Sequence, residues 1–175
     1  MKYAVLYTSQ TGNTRQLADC LMALLGTQAR IAEITPGMPV PQEEVLLIGY
    51  WVDKGTCPQE VADMLQRLQD KKILFFATAG FGQTQSYFDK IAGGVEQIAA
   101  QNNQVLGSFF CQGRMPESIK ARYEALLKAN PSDKKARIFL DNFTQARSHP
   151  DAGDLKHLLD FAQARLPKEE GAERV

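Results

Sequence analysis

A short polar stretch near the start of the chain has the residue types of an anion-binding turn. It consists of Ser9, Gln10, Thr11, Gly12, Asn13 and Thr14. An apolar run precedes it and a segment with helical spacing follows it, which predicts a strand-to-helix turn. The first N–H groups of a helix are unpaired and carry a partial positive charge. Hydroxyls, free amides and a glycine at that point predict a phosphate site that needs no lysine.

Two further stretches follow apolar runs and carry an aromatic residue or glycines. One is Tyr50, Trp51 and Val52, and the other is Thr78, Ala79, Gly80, Phe81 and Gly82. An indole ring offers a large flat surface for stacking. A glycine-bearing turn lets backbone groups approach a ligand closely. These stretches are our candidates for binding the rest of a phosphorylated ligand.

The cysteines and histidines argue against several other chemistries. Cys20, Cys57 and Cys111 are widely spaced, and the only histidines are His149 and His157. The cysteine spacing disfavours a disulfide framework, a zinc site or an iron–sulfur site. With only two histidines in the chain, a histidine-based catalytic triad is also disfavoured. We predict no metal site and no catalytic residue. Cys57 precedes a predicted helix, where a thiolate is favoured, but a redox role is the less favoured interpretation.

Composition narrows the class of protein further. The chain has 175 residues, 44% of them hydrophobic, and twenty basic residues balance twenty acidic ones. That size suits one domain with a full core, and the charge balance does not suggest nucleic-acid binding. No apolar run approaches the roughly 20 residues that span a bilayer, and the chain begins with a strand pattern rather than a leader. We therefore expect a cytoplasmic protein that binds neither nucleic acid nor membrane.

The hydrophobic pattern alternates between strands and helices over most of the chain. Strands are predicted at 2–8, 30–34, 44–51, 73–77 and 104–111, and helices at 13–25, 58–70, 84–101 and 117–129. Ser132 is predicted to cap an extra helix that ends near position 147, and Pro150–Asp151 to begin the last one. Alternation of this kind predicts a parallel sheet with helices on both faces.

The three candidate stretches all lie where a strand ends. With strand order 2-1-3-4-5, the first, third and fourth strands are neighbours, so their exit loops share one edge of the sheet. That edge is where doubly wound sheets bind their ligands. The arrangement suits a long flat ligand with a phosphate at one end and an aromatic ring at the other.

With these motifs the sequence resembles the flavodoxin family. The stretch 9–14 matches that family's phosphate-binding signature, Trp51 stands where flavodoxins often carry a flavin-covering aromatic, and 80–82 is similar to the second flavin-flanking loop. The resemblance implies a three-layer, doubly wound, five-stranded parallel sheet over residues 1–166 and non-covalent flavin mononucleotide (FMN). It implies phosphate on residues 9–14 and the ring between loops 50–56 and 78–83. Trp51 would cover one ring face, with Phe81 a candidate for the other and Tyr87 a weaker one.

Three features depart from that family. Flavodoxins are usually strongly acidic, whereas this chain has zero net charge. Lys54 lies in the loop beside the predicted ring, and we hypothesise that it makes the reduced flavin less strongly reducing. An extra helix at 132–147 has two possible places, over the ligand edge or on the outer layer, of which the second is favoured. Residues 167–175 are charged and expected to fray.

The resemblance leaves several functions open. The leading one is FMN-dependent electron transfer, with a flavodoxin-type carrier delivering electrons to an unidentified partner reductase. The alternatives are a reductase acting directly on a quinone-like small molecule and a binding module that has lost its cofactor. A phosphoacceptor receiver domain and a low-molecular-weight phosphatase lack their required residues in the first loop. We expect a monomer or a weak dimer.

Overall fold

Five parallel strands form one sheet in the order β2-β1-β3-β4-β5, as predicted. The computed structural model describes residues 2–82 and 84–167. The strands are β1 (Tyr3–Tyr7), β2 (Ala29–Glu33), β3 (Val45–Trp51), β4 (Lys72–Ala79) and β5 (Gln104–Gln112). The predicted tail at 167–175 lies outside the described residues from position 168 onward. The register pairs Tyr7 with Gly49 and Trp51 with Thr78, so neighbouring strands end close together.

Helices cover both faces of the sheet. They are α1 (Asn13–Leu25), α2 (Gln59–Leu65), α3 (Gln85–Ala99), α4 (Glu117–Ala129), α5 (Lys134–Ala146) and α6 (Ala152–Arg165). Successive strand residues point to opposite faces, so Leu6 packs in the core on the α2–α3 side and Val5 in the core on the α1–α6 side. This burial on both faces explains why the central strands are continuous apolar runs. None of the helices among the described residues is both long enough and apolar enough to span a membrane.

The predicted end of α2 and the predicted cap of α5 differ from the structure. Helix α2 stops at Leu65, five residues before the predicted end. Asp133, not Ser132, caps α5, because its carboxylate accepts a hydrogen bond from the Ala136 N–H at 2.9 Å. The Gly93–Gly94 pair lies inside a continuous α3, whose apolar face is fixed by buried residues on either side.

The last helix begins where predicted. Asp151 and Asp154 form a capping box, in which each side chain binds the other's backbone N–H. His149 Nδ1 lies 2.6 Å from Asp154 Oδ2, so this histidine belongs to the cap. His157 is exposed. The capping arrangement accounts for the closeness of these acidic groups and the imidazole.

Candidate functional site

A cleft of about 310 Å³ opens at the carboxyl ends of β1, β3, β4 and β5. Gln10, Thr11 and Asn13 line it from the first loop, and Trp51 and Val52 from the second. The third loop contributes Thr78, Ala79, Gly80 and Phe81. The predicted convergence of three loops on one edge is therefore observed. A second cleft, of about 230 Å³, lies at the opposite end of the sheet and contains none of the predicted site residues.

The first loop has the features of an anion site. Gly12 has a φ of 84°, a left-handed conformation that glycine adopts without strain. No side chain caps the start of α1, so its first N–H groups remain available to a ligand. The hydroxyl oxygen of Ser9 is buried and has no hydrogen-bond partner. A phosphate group would supply acceptors for both the hydroxyl and the amides, so these residues fit one.

Asn13 ties the first loop to the loop that follows β5. Its Nδ2 donates one hydrogen bond to Thr11 Oγ1 and another to the Arg114 carbonyl, each at 2.8 Å. A Cβ on Gly113 would lie 2.5 Å from that Nδ2, so glycine is required for this close approach. The two loops therefore hold each other in place across 101 residues of sequence.

Thr14 does not face the cleft. Its hydroxyl is completely buried and lies 2.9 Å from the hydroxyl of Thr78. The hydrogen bond links α1 to the end of β4 beneath the first loop. The sequence placed Thr14 among the phosphate ligands, whereas the structure gives its side chain a supporting role. The reason is helical geometry, which turns this residue toward the sheet.

The aromatic pair after β3 divides between core and cleft. Trp51 is half-buried and lines the cleft, and its role in covering one face of a flavin stays a prediction. Tyr50 is completely buried, and its ring packs edge-on against Phe75 and Phe110 at centroid distances of 6.2 and 6.1 Å. Its side chain therefore cannot line the cleft, contrary to the prediction, because adjacent residues on a strand point in opposite directions.

The second loop is held against the third. The Val52 N–H donates a hydrogen bond to the Thr78 carbonyl at 2.9 Å, and Asp53 pairs with Thr56 across a tight turn. Lys54 and Gly55 form that turn with φ values of 49° and 85°, and both line the cleft. Lys54 therefore lies at the site, in the loop that was predicted to lie beside the ring.

The third loop presents Phe81 but not Gly82. Phe81 lines the cleft, and its ring lies 5.2 Å from the ring of Phe139 and 6.2 Å from that of Tyr87. Gly82 is buried beside Phe88, whose ring a Cβ would approach to 2.4 Å, and it does not line the cleft. The prediction that Gly82 faces the ligand is therefore not supported by its position.

A fourth loop, which carries no recognisable motif, completes the cleft. Arg114, Met115, Pro116 and the α4 residue Ile119 line its far side. The Gly113 N–H donates to the Ala79 carbonyl at 3.0 Å, which fixes this loop beside the third one. Sequence reasoning missed Met115, Pro116 and Ile119. The available signal was topological, because β5 lies next to β4 and must end at the same edge.

The extra helix packs on the cleft side, which was the less favoured of the two placements. Asn142 on α5 donates a hydrogen bond to the Gly80 carbonyl at 2.9 Å and accepts one from Gln112 at 3.0 Å. The Phe139 ring lies between Phe81 and Tyr123, and it stacks on Tyr123 at 4.5 Å. A buried amide with both ends bonded costs less than an unpaired one, so these contacts fix the helix against the third loop.

The charges around the cleft have one sign. Lys54 and Arg114 line it, and no aspartate or glutamate does so in the described part of the chain. Cys57 lies near the cleft but is buried. Burial raises the pKa of its thiol and outweighs the lowering of the pKa that was expected at the start of a helix. Burial likewise raises the pKa of the Cys111 thiol in the core, whereas Cys20 is only half-buried. The cleft therefore favours an anionic ligand and offers no thiolate.

Relatives in sequence share almost the whole chain. The flavodoxin-like domain-containing protein BilS of Clostridioides difficile (strain CD3) is 34% identical over 172 residues, which cover 96% of this chain and 98% of that protein. The protein of the same name from Clostridium symbiosum (strain WAL-14163) is 33% identical over 184 residues, with coverage of 95% and 97%.

Solved structures share the fold at lower identity. The two-electron reduced flavodoxin of Megasphaera elsdenii superposes with a TM-score of 0.51 and 20% identity, over 66% of this chain and 89% of that one. A flavoprotein in complex with FMN from Lactobacillus acidophilus NCFM gives a TM-score of 0.51 and 15% identity, over 62% and 92%. The family model described as "Flavodoxin domain" matches residues 4–163. Because that match covers nearly the entire chain and agrees with the sheet order and the cleft, the protein belongs to the flavodoxin family.

Proposed function

We propose that the protein binds FMN without a covalent link and carries electrons to a partner reductase. Membership of the flavodoxin family supports FMN as the cofactor, and the flavoprotein from Lactobacillus acidophilus is an FMN complex. Bound flavin supplies one- and two-electron redox chemistry, and the protein supplies binding, orientation and electrostatics. The first-loop hydroxyls and amides, the cleft-lining aromatic residues and the positive charges support this assignment.

The binding roles follow from the geometry. The Ser9 hydroxyl and the N–H groups at the start of α1 would hold the phosphate. Trp51 would cover one face of the ring, and Phe81 is the candidate for the other. Thr78, Ala79 and Gly80 line the same cleft, and their backbone groups would address the polar edge of the ring. Lys54 and Arg114 would offset the negative charge that the flavin gains on reduction.

One observation favours a carrier over a reductase that acts on small molecules. In the described part of the chain, the residues lining the cleft include no carboxylate, imidazole or thiol. Tyr87 lines it, but burial raises the pKa of that phenol, which makes it a weaker acid. Proton transfer to a substrate needs a group with a pKa near the working pH, and the lining offers no carboxylate, imidazole or thiol for this step. Passing electrons to another protein does not require such a group.

The cofactor proposal is tested by the colour of the purified protein. We expect a yellow protein that releases FMN on denaturation and bleaches with dithionite. A colourless protein that cannot be reconstituted with FMN would contradict the proposal and favour a binding module without cofactor. The carrier proposal is tested by adding a nicotinamide donor and a quinone. Steady turnover by the protein alone would show a reductase instead.

A further inference from the structure

The two helices beside the cleft carry an excess of positive charge. Segment 114–147, which contains α4 and α5, has eight lysines and arginines against four aspartates and glutamates, a net charge of +4. Because the whole chain has zero net charge, the remaining residues carry a net charge of −4. The balance of the sequence therefore hides a strong separation of charge. A separation of this kind creates a directed field at one face of the protein.

Some of these basic side chains are exposed and form no ion pair within the described residues. Lys120 pairs with Glu124 at 3.5 Å, and Arg137 donates to the Pro131 carbonyl at 2.8 Å. Lys134 and Lys135, by contrast, form no ion pair within the described residues, and both are exposed. They begin α5, where a positive charge is not favoured by the helix dipole. Helix stability therefore does not explain why these lysines are here.

Helices α4 and α5 and the third loop also carry exposed large apolar side chains. Phe81, Leu126 and Ile138 are 36%, 43% and 54% exposed. The remaining large apolar residue that is exposed in the described part, Ile31, lies on the edge strand β2. Apolar side chains surrounded by charge are typical of the centre and rim of a protein interface. We call the surface formed by α4, α5 and Phe81 the basic face.

The basic face adjoins the cleft. Ile119 of α4 lines the cleft, and Asn142 of α5 bonds the Gly80 carbonyl. Lys135 and Ile138 precede Asn142 by seven and four residues, so they lie along the same side of α5. A protein bound there would lie close to the ring end of the cleft, where electron transfer requires it.

We propose that the basic face docks a redox partner whose own cofactor is surrounded by acidic side chains. This inference rests on the proposed role in electron transfer and adds the charge of the partner. Opposite charges would steer and orient the encounter, and the apolar side chains would make the close contact. A second copy of the chain is a poor occupant, because two basic faces would repel each other across a two-fold axis.

The test compares two protein probes of opposite charge. The holoprotein is reduced with dithionite and mixed with acidic cytochrome b5 or basic cytochrome c, at ionic strengths of about 10 and 150 mM, where the Debye lengths are about 30 and 8 Å. We expect the rate with cytochrome b5 to be higher at low salt and to fall about tenfold as salt rises. With cytochrome c the salt dependence should be weak or reversed. A rate with cytochrome b5 that does not fall with salt would overturn the inference.

Matched variants locate the effect. K134E/K135E and R67E/K71E change the net charge equally, but Arg67 and Lys71 lie near the start of β4, at the opposite edge of the sheet. At low salt we expect the first variant to reduce cytochrome b5 about tenfold more slowly and the second to stay within threefold of the unmodified protein. Equal losses in both variants would show that only net charge matters and would overturn the inference.

A second readout does not depend on the flavin. Carbodiimide couples lysine amines to carboxylates in contact, and mass spectrometry identifies the lysines joined to cytochrome b5. We expect cross-links at Lys134 and Lys135 and few at Lys71 or Lys90. An even distribution would contradict the docking face. A protein that lacks FMN, or that reduces neither cytochrome, would contradict the electron-transfer role, and the cross-links would still decide the place of docking.

Discussion

A methyl group on Gly113 should disturb the cleft from a position outside the phosphate motif. The added Cβ would lie 2.5 Å from Asn13 Nδ2 and 2.9 Å from Asn13 Cγ, whereas an ordinary contact is 3.4–4 Å. Gly113 does not have a positive φ, so the backbone itself accepts alanine. The Asn13 side chain must therefore turn away, or the loop must move.

The free-energy cost of Gly113→Ala follows from the hydrogen bonds that Asn13 makes. Its Nδ2 donates at 2.8 Å to both Thr11 Oγ1 and the Arg114 carbonyl. Each such bond contributes a net of about 1 kcal/mol, so losing both costs about 2 kcal/mol. If this loss falls on the conformation of the turn that binds phosphate, the dissociation constant for FMN rises about 30-fold. Part of the loss should also lower the free energy of unfolding.

The assay is a fluorescence titration of the apoprotein with FMN, accompanied by urea unfolding. Gly93→Ala is the matched control, because a Cβ at Gly93 meets nothing within 4 Å and the residue lies within α3. That variant should bind FMN normally and gain about 0.5–1 kcal/mol of stability from the better helix former.

A double variant tests the cause of the effect. In Asn13→Ala the clashing amide is absent, so adding Gly113→Ala should weaken FMN binding little further. Losses that simply add would show that the methyl group acts elsewhere. FMN affinity within twofold of the unmodified protein in Gly113→Ala alone would refute the reasoning.

Three further predictions concern the ring end of the cleft. Trp51→Ala should weaken FMN binding at least fivefold, since stacking of a flat ring on an aromatic side chain contributes about 1–3 kcal/mol. Tyr50→Phe, by contrast, should leave FMN affinity within twofold, because the Tyr50 hydroxyl is buried away from the cleft. Lys54→Ala and Arg114→Ala should each make the flavin reduction potential more negative by about 20–40 mV. This shift corresponds to a surface charge that contributes about 0.5–1 kcal/mol to a one-electron couple. Potentiometric titrations that show no shift would contradict this role for the two cations. Asn142→Ala should lower the free energy of unfolding, measured in urea, by about 1–3 kcal/mol. The substitution leaves the Gln112 amide and the Gly80 carbonyl without their partner. Unchanged stability would contradict these hydrogen bonds.

Local patterns predicted the architecture well. The apolar runs and helical spacings placed all five strands and six helices in order, and the sheet has the expected order. Helix ends were harder, as the cap at Asp133 shows, because neighbouring polar residues compete to accept the same backbone N–H. The three predicted loops meet at one cleft, since parallel strands must end at a common edge.

The roles of individual side chains were less predictable. Tyr50 and Trp51 are adjacent in the sequence, yet one lies in the core and the other in the cleft. Thr14 resembles a phosphate ligand, but its hydroxyl bonds Thr78, which is 64 residues away. Such partners belong to different elements, and a local pattern contains no information about which distant atom fills a given space.

The sequence by itself determined the sheet, the strand-to-helix turn at residues 9–14 and the family, because these depend on short-range periodicity and turn chemistry. Tertiary structure decided that α5 packs beside the third loop through Asn142 and Phe139. It also gathered Lys54 and Arg114 at one cleft and set the basic face next to it. The zero net charge of the chain gave no sign of this face, because a sum over residues discards position, and position in space is fixed only by folding.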